Sequence, residues 1–135
     1  MIHHINGRLV EKAPTHAIIE AGGVGYFINI SLLTYSKLKA TEACMLYTHL
    51  SVKEDSHTLY GFAEKTEREI FRKLISVNGV GATTARIMLS SLTSDEITAA
   101  IISGDVDTLK GIKGIGTKSA QRIIVDLKDK LGKIE

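Results

Sequence analysis

The sequence predicts a protein that is α+β by domain: a five-stranded barrel over residues 1–63, then an all-helical domain over residues 64–135. Three observations predict it. The hydrophobic period changes between Ala63 and Lys65. Short β-branched and aromatic runs, separated by breakers, come before the change. Amphipathic stretches with capping residues come after it.

The strand candidates are Ile2 to Val10, His16 to Ala21, Tyr26 to Ile30, Cys44 to Val52 and Thr58 to Phe62. Pro14, the Gly22–Gly25 stretch and the polar tract Lys53-Glu54-Asp55-Ser56 lie between them as breakers. Gly23-Val24-Gly25 predicts a tight turn, and Leu32 to Leu38 leaves room for a short helix. Five strands with one helical interruption suit a small closed barrel, of which the OB-fold is the commonest form.

From Thr66 the signals are helical. Thr66 and Glu69 predict a capping box, with Ile70, Phe71, Leu74 and Ile75 on one face behind it. Thr93 and Glu96 repeat the signal before Ile97, Ala100 and Ile101, and Gly104 predicts the stop. Asp105 caps a short helix through Leu109. Thr117 opens a long one with apolar positions Ala120, Ile123, Ile124, Leu127 and Leu131.

Composition narrows the function. A 44% hydrophobic content supports a packed core and excludes a disordered chain. No apolar run is long enough to span a bilayer, so no membrane role is expected. No secretory signal opens the chain, and the single Cys44 cannot form an internal disulfide, so a cytoplasmic protein is expected. Residues 1–64 carry five basic and six acidic side chains, and residues 65–135 carry twelve and nine. The second half is therefore the one suited to a polyanion. Only 5% of residues are aromatic and none is Trp, which disfavours a broad base-stacking surface.

An internal repeat points to the chemistry. Val77-Asn78-Gly79-Val80-Gly81-Ala82-Thr83-Thr84-Ala85 aligns with Ile112-Lys113-Gly114-Ile115-Gly116-Thr117-Lys118-Ser119-Ala120. Each copy reads aliphatic, polar, Gly, aliphatic, Gly, two variable residues, Ser/Thr, Ala, and each joins two helices. Glycine allows the sharp bend, and Val80 or Ile115 can plug back into the core. The amides after the turn open a helix and lack intrahelical partners, which makes a ready phosphate site. Such a grip reads no base edge and has no sequence preference. The expected contacts are Asn78, Gly79, Val80, Gly81, Thr83, Thr84 and Arg86 in the first copy. In the second they are Lys113, Gly114, Ile115, Gly116, Thr117, Lys118, Ser119 and Arg122.

Two look-alikes fail. Gly111 to Ser119 approaches a Walker A loop, but Thr117 stands where its lysine belongs, and a helix precedes it instead of a strand. Gly79-Val80-Gly81 starts like a dinucleotide fingerprint but follows a helix and meets no third glycine. Neither ATP nor NAD, and no other cofactor, is expected. His3, His4, His16, His49 and His57 show no metal-ligand spacing, and Cys44 reads as a small strand hydrophobe rather than a nucleophile. No catalytic residue is predicted. Two other classes stay open on residues alone. One is a helix-hairpin-helix DNA enzyme, which would need a second lobe or clustered carboxylates. The other is a protein-interaction module whose hairpins are only turns.

The chain also resembles the RuvA family of Holliday-junction-binding subunits over essentially its whole length. The carriers are Ile5-Asn6-Gly7-Arg8-Leu9, Ile19-Glu20-Ala21-Gly22-Gly23-Val24-Gly25-Tyr26, Thr48 to Asp55, Leu59-Tyr60-Gly61-Phe62, Asn78-Gly79-Val80-Gly81 and Gly114-Ile115-Gly116-Thr117-Lys118. The resemblance implies an OB-fold followed by tandem helix-hairpin-helix motifs, and a homotetramer that holds a four-way junction open and square. It implies work in branch migration, recombination and repair within the SOS response. It leaves open whether two tetramers enclose one junction, and it admits a junction resolvase as a further partner. Glu54 and Asp55 match the family's acidic pin, although on residues alone they read as a solvated hairpin tip. Members often carry proline and lysine where this chain has Ala82-Thr83. They also have a third domain that contacts a hexameric RuvB-type ATPase. The chain reaches only Glu135, just past the second hairpin's helix, so that contact is expected to be missing here.

Overall fold

The computed structural model describes residues 2–38 and 43–131. The chain divides into two compact units, Met1–Arg68 and Glu69–Glu135.

The first unit holds five strands: β1 (His4–Ala13), β2 (His16–Ala21), β3 (Val24–Asn29), β4 (Ala43–Lys53) and β5 (Ser56–Phe62). A short helix, α1 (Leu32–Lys37), falls between β3 and β4. The strands close into a barrel in the order β1-β2-β3-β5-β4, with β4 returning to β1. All pairs are antiparallel except β3 with β5, which meet in parallel at Ile28↔Leu59 and Asn29↔Tyr60. Alternation fills the inside with Ile5, Ala17, Ile19, Ile28, Ile30 and Leu46. Cys44 packs half-buried against this cluster, and burial pushes its thiol pKa up, away from the reactive thiolate.

The β2–β3 turn differs from the expected Gly23-Val24-Gly25. It consists of Gly22 and Gly23 alone, at φ 60° and 83°, while Val24 and Gly25 already belong to β3. Two successive positive φ angles make the primed turn that matches strand twist, and the first glycine of the run begins it.

The helices that follow are α2 (Lys65–Ile75), α3 (Ala82–Ser91), α4 (Ser94–Ser103), α5 (Val106–Lys110) and α6 (Thr117–Leu131). The expected capping box at Thr66 and Glu69 does not form. The Arg68 amide already donates to Glu64 O at 3.3 Å, so Thr66 lies inside the helix, and Glu69 pairs with Arg72 instead. The box at Thr93 and Glu96 does form, with both reciprocal bonds. Gly104 ends α4 in the left-handed conformation, and Asp105 caps α5 through the Thr108 amide. Those Thr108 bonds hold the Asp105 carboxyl below its usual pKa. In the second unit α6 packs on α4 and α5 through a face that includes Ala120, Ile123, Leu127 and Leu131, all buried. No helix among the described residues is long and apolar enough to cross a membrane.

Candidate nucleic-acid interface

The repeat seen in the sequence is a repeat of backbone. In the first copy the Val80 amide donates to Val77 O at 3.0 Å, and in the second the Ile115 amide donates to Ile112 O at 3.0 Å. Gly79 and Gly114 sit at the position that needs positive φ, at 93° and 90°. This is the pattern of a type II turn, which demands glycine there. The residue closing each turn, Val80 or Ile115, is buried at 6% exposure. Its side chain anchors the loop, so only its backbone is available to a ligand.

The second glycine of each pair has a different role. Gly81 has φ −88°, which any residue can adopt, and Gly116 is not among the positive-φ glycines. A Cβ added at either would meet nothing within 4 Å. Neither torsion nor internal packing therefore asks for glycine. What a side chain there would obstruct is approach from outside.

Behind these glycines the helices open. The Ala85 amide makes the first α-helical bond of α3, to Gly81 O at 3.0 Å, and Ala120 does the same in α6, to Gly116 O at 2.9 Å. The amides of Ala82, Thr83 and Thr84, and those of Thr117, Lys118 and Ser119, precede those bonds. Gly81 offers no side-chain cap, and Gly116 has no side chain to offer one. By contrast α1, α4 and α5 are each capped by a side-chain oxygen, from Ser31, Thr93 and Asp105. Among the described residues, only the two helices that follow the hairpins begin on glycine. Their free amides and positive dipole ends favour an anion.

Side chains around the two turns differ. Asn78 and Thr83 are exposed, and Thr84 and Arg86 are half-buried. In the second copy Lys113, Thr117, Lys118, Ser119 and Arg122 are all exposed. The Arg122 guanidinium lies 3.9 Å from Asp126 one turn on, an exposed pair of little energetic weight.

Glu54 and Asp55 form the two-residue tip between β4 and β5, where Lys53 pairs with Ser56. Both are exposed, and no ion pair engages either among the described residues. Two carboxylates are thus held next to each other at the tip of the paired β4–β5 hairpin. Among the described residues no three His, Cys, Asp or Glu side chains gather as a metal site would require.

One feature escaped the sequence reading. Glu67 and Arg68, consecutive in the first turn of α2, are buried at 1% and 2% exposure. The signal was present: residues 67, 70, 71 and 74 share one helical face, and a carboxylate stands among Ile70, Phe71 and Leu74.

Comparison with known families agrees with this architecture. Residues 1–61 match the RuvA N terminal domain, and residues 71–129 match the SAM-like helix-hairpin-helix tandem. The chain is 64% identical over 134 residues to a protein of Christiangramia forsetii named Holliday junction branch migration complex subunit RuvA. It is 60% identical over 134 residues to the protein of that name from Flavobacterium psychrophilum. Each alignment covers 99% of this chain and 69% of the relative. The Bacteroides fragilis protein of that name is 49% identical, with 97% of this chain and 65% of the relative covered.

Proposed function

This chain belongs to the RuvA family, and on that premise we propose that it binds four-way (Holliday) junction DNA without sequence preference and holds it for branch migration. The observation that carries the reading is the pair of hairpins with one backbone geometry. Each ends in an uncapped helix start behind a glycine that the fold itself does not need. Two such grips on one unit can hold two phosphate groups, and phosphates position a duplex without reading it. The contacts are the backbone amides from Ala82 to Thr84 and from Thr117 to Ser119. Asn78, Thr83, Thr84 and Arg86 support the first grip, and Lys113, Lys118, Ser119 and Arg122 the second.

Residues 1–63 supply the acidic pin and the contacts of a homotetramer, and residues 64–135 grip the DNA. Four copies of Glu54 and Asp55 around a junction centre repel the phosphates of the crossing strands. They help to part the strands and disfavour a continuous duplex there. Two tetramers enclosing one junction are a further arrangement of the same surface. The chain is a scaffold and not an enzyme: Thr117 occupies the place of a nucleotide-binding lysine, and the work of movement belongs to a RuvB-type ATPase. A junction resolvase is a second partner in recombination and repair, and the setting is the cytoplasm.

The test is a gel-shift titration at moderate salt. It compares a synthetic four-way junction with a linear duplex of the same sequence, in excess competitor DNA. Strong preference for the junction is expected. Equal, salt-sensitive binding to both would reduce the protein to a general DNA grip. Replacing Glu54 and Asp55 together by Gln and Asn should raise duplex affinity and narrow the preference, and an unchanged ratio would remove the pin from the mechanism.

A further inference from the structure

The β4–β5 hairpin runs on past the barrel that it helps to close. β1 pairs with β4 only as far as Tyr47, and β3 pairs with β5 only at Leu59 and Tyr60. From Ser51 to Lys53 and from Ser56 to Thr58, the two strands pair only with each other among the described residues.

The two faces of this hairpin differ. Alternation puts Thr48 opposite Gly61, Leu50 opposite Leu59 and Val52 opposite His57 on one face. That face looks into the barrel: a Cβ at Gly61 would meet the side chains of Ile28 and Leu46, and Leu59 packs against the core. Burial then falls away along it. Thr48 and Gly61 are buried, Leu50 and Leu59 are half-buried, and Val52 and His57 are exposed, Val52 at 55%. The other face carries the polar pairs Ser51 with Thr58 and Lys53 with Ser56. The face that builds the core thus continues beyond the core, and it ends in an uncovered valine and imidazole just below Glu54 and Asp55.

Charge narrows what can cover this step. The two exposed carboxylates beside it repel phosphate. The part of a nucleic acid that they tolerate is the uncharged base. A base presents a flat face to an imidazole ring and an apolar surface to a valine.

We propose that Val52 and His57 are specificity-determining residues that contact nucleobases at the branch point of the junction. The acidic tip keeps phosphates away, and the step beneath it receives bases. This inference rests on the junction-binding reading above and names the part of the DNA that the hairpin meets. A continuous duplex keeps its bases stacked inside, so the contact adds to junction binding alone.

The test is a cycle of protein and DNA changes, read by gel shift with the whole chain. One four-way junction has ordinary bases at the branch point. The other has abasic sites there, with every phosphate kept. The proteins are the wild-type chain, Val52→Ser, His57→Ala and, on the opposite face, Ser56→Ala. Val52→Ser and His57→Ala should each lower the ratio of intact to abasic affinity by about fivefold relative to wild type. Ser56→Ala should keep the wild-type ratio, and duplex affinity should stay within about twofold in every variant. Melting temperature should hold, because both positions are exposed. A ratio that stays at the wild-type value in either variant would overturn the role of that residue, and an equal fall in Ser56→Ala would overturn the role of both. Light scattering on the free proteins adds a further check. A lower mass for Val52→Ser or His57→Ala would assign the step to a contact between copies of the chain and overturn the inference. A wild-type chain with no preference for junction over duplex would instead overturn the function on which the inference rests, and the inference with it.

Discussion

The two helical hairpins have the same backbone and different surroundings. Both turns close with a 3.0 Å bond, both place glycine at a φ near 90°, and both bury the residue that closes the turn. Around the second stand exposed Lys113, Lys118 and Arg122, while Asn78, Thr83 and Ile87 fill the matching positions of the first and the neighbouring Arg86 is half-buried. The difference separates two contributions that are usually mixed. Backbone amides at a helix start bind an anion by direction and dipole, whereas lysines add charge that salt can screen. The first hairpin leans on the former, with half-buried Arg86 adding charge beside it, and the second has both at exposed positions.

The strongest way to break the comparison is to obstruct both backbones alike. Gly81→Val and Gly116→Val each place a branched side chain where the structure leaves open space. Each should weaken binding to every DNA form by about tenfold or more, roughly 1.4 kcal/mol, with little change in melting temperature. A gel shift beside a thermal melt reads both, and full affinity in the two variants would end the case for the hairpins as grips.

Charge should sharpen the contrast at intermediate size. Lys118→Glu should weaken binding to junction and duplex in parallel and make log affinity against log salt shallower by about one unit. Thr83→Lys supplies the first hairpin with the matching cation, so it should steepen that slope by about one unit and tighten binding. If Thr83→Lys leaves the slope unchanged, the first turn does not face a phosphate.

The smallest effect belongs to a helix start of the other kind. Thr93 and Glu96 close the capping box of α4, so Thr93→Ala should cost about 1 kcal/mol of stability. DNA affinity should hold once the variant is folded. A loss of binding with stability intact would erase the distinction between capped and glycine-led helices.

Much of this was legible in the sequence because the signals are local. Strand alternation, the repeated nine-residue pattern and the Thr93–Glu96 box all act within a few residues of themselves. The hairpin positions followed from spacing alone, and Gly104 and Asp105 marked helix ends correctly. The misses are of another kind. Thr66 and Glu69 have the right types and spacing for a cap, but α2 begins earlier because Glu67 and Arg68 are bonded to residues 31, 34 and 3, far away in sequence. A tertiary contact decided where the helix begins. In the β2–β3 turn, three glycines in four residues allowed two placements, and the pairing of Ala21 with Val24 selected one.

The parallel contact between β3 and β5 is only two residue pairs long, yet it closes the barrel. Without it β3 and β5 would each present a row of unpaired amides and carbonyls, and neighbouring chains could add strands to them. In the homotetramer proposed above, copies of the chain would meet at high local concentration, where such edges invite aggregation. Those two pairs therefore protect solubility as well as shape. Because they are few, they mark the seam at which the barrel would first come open.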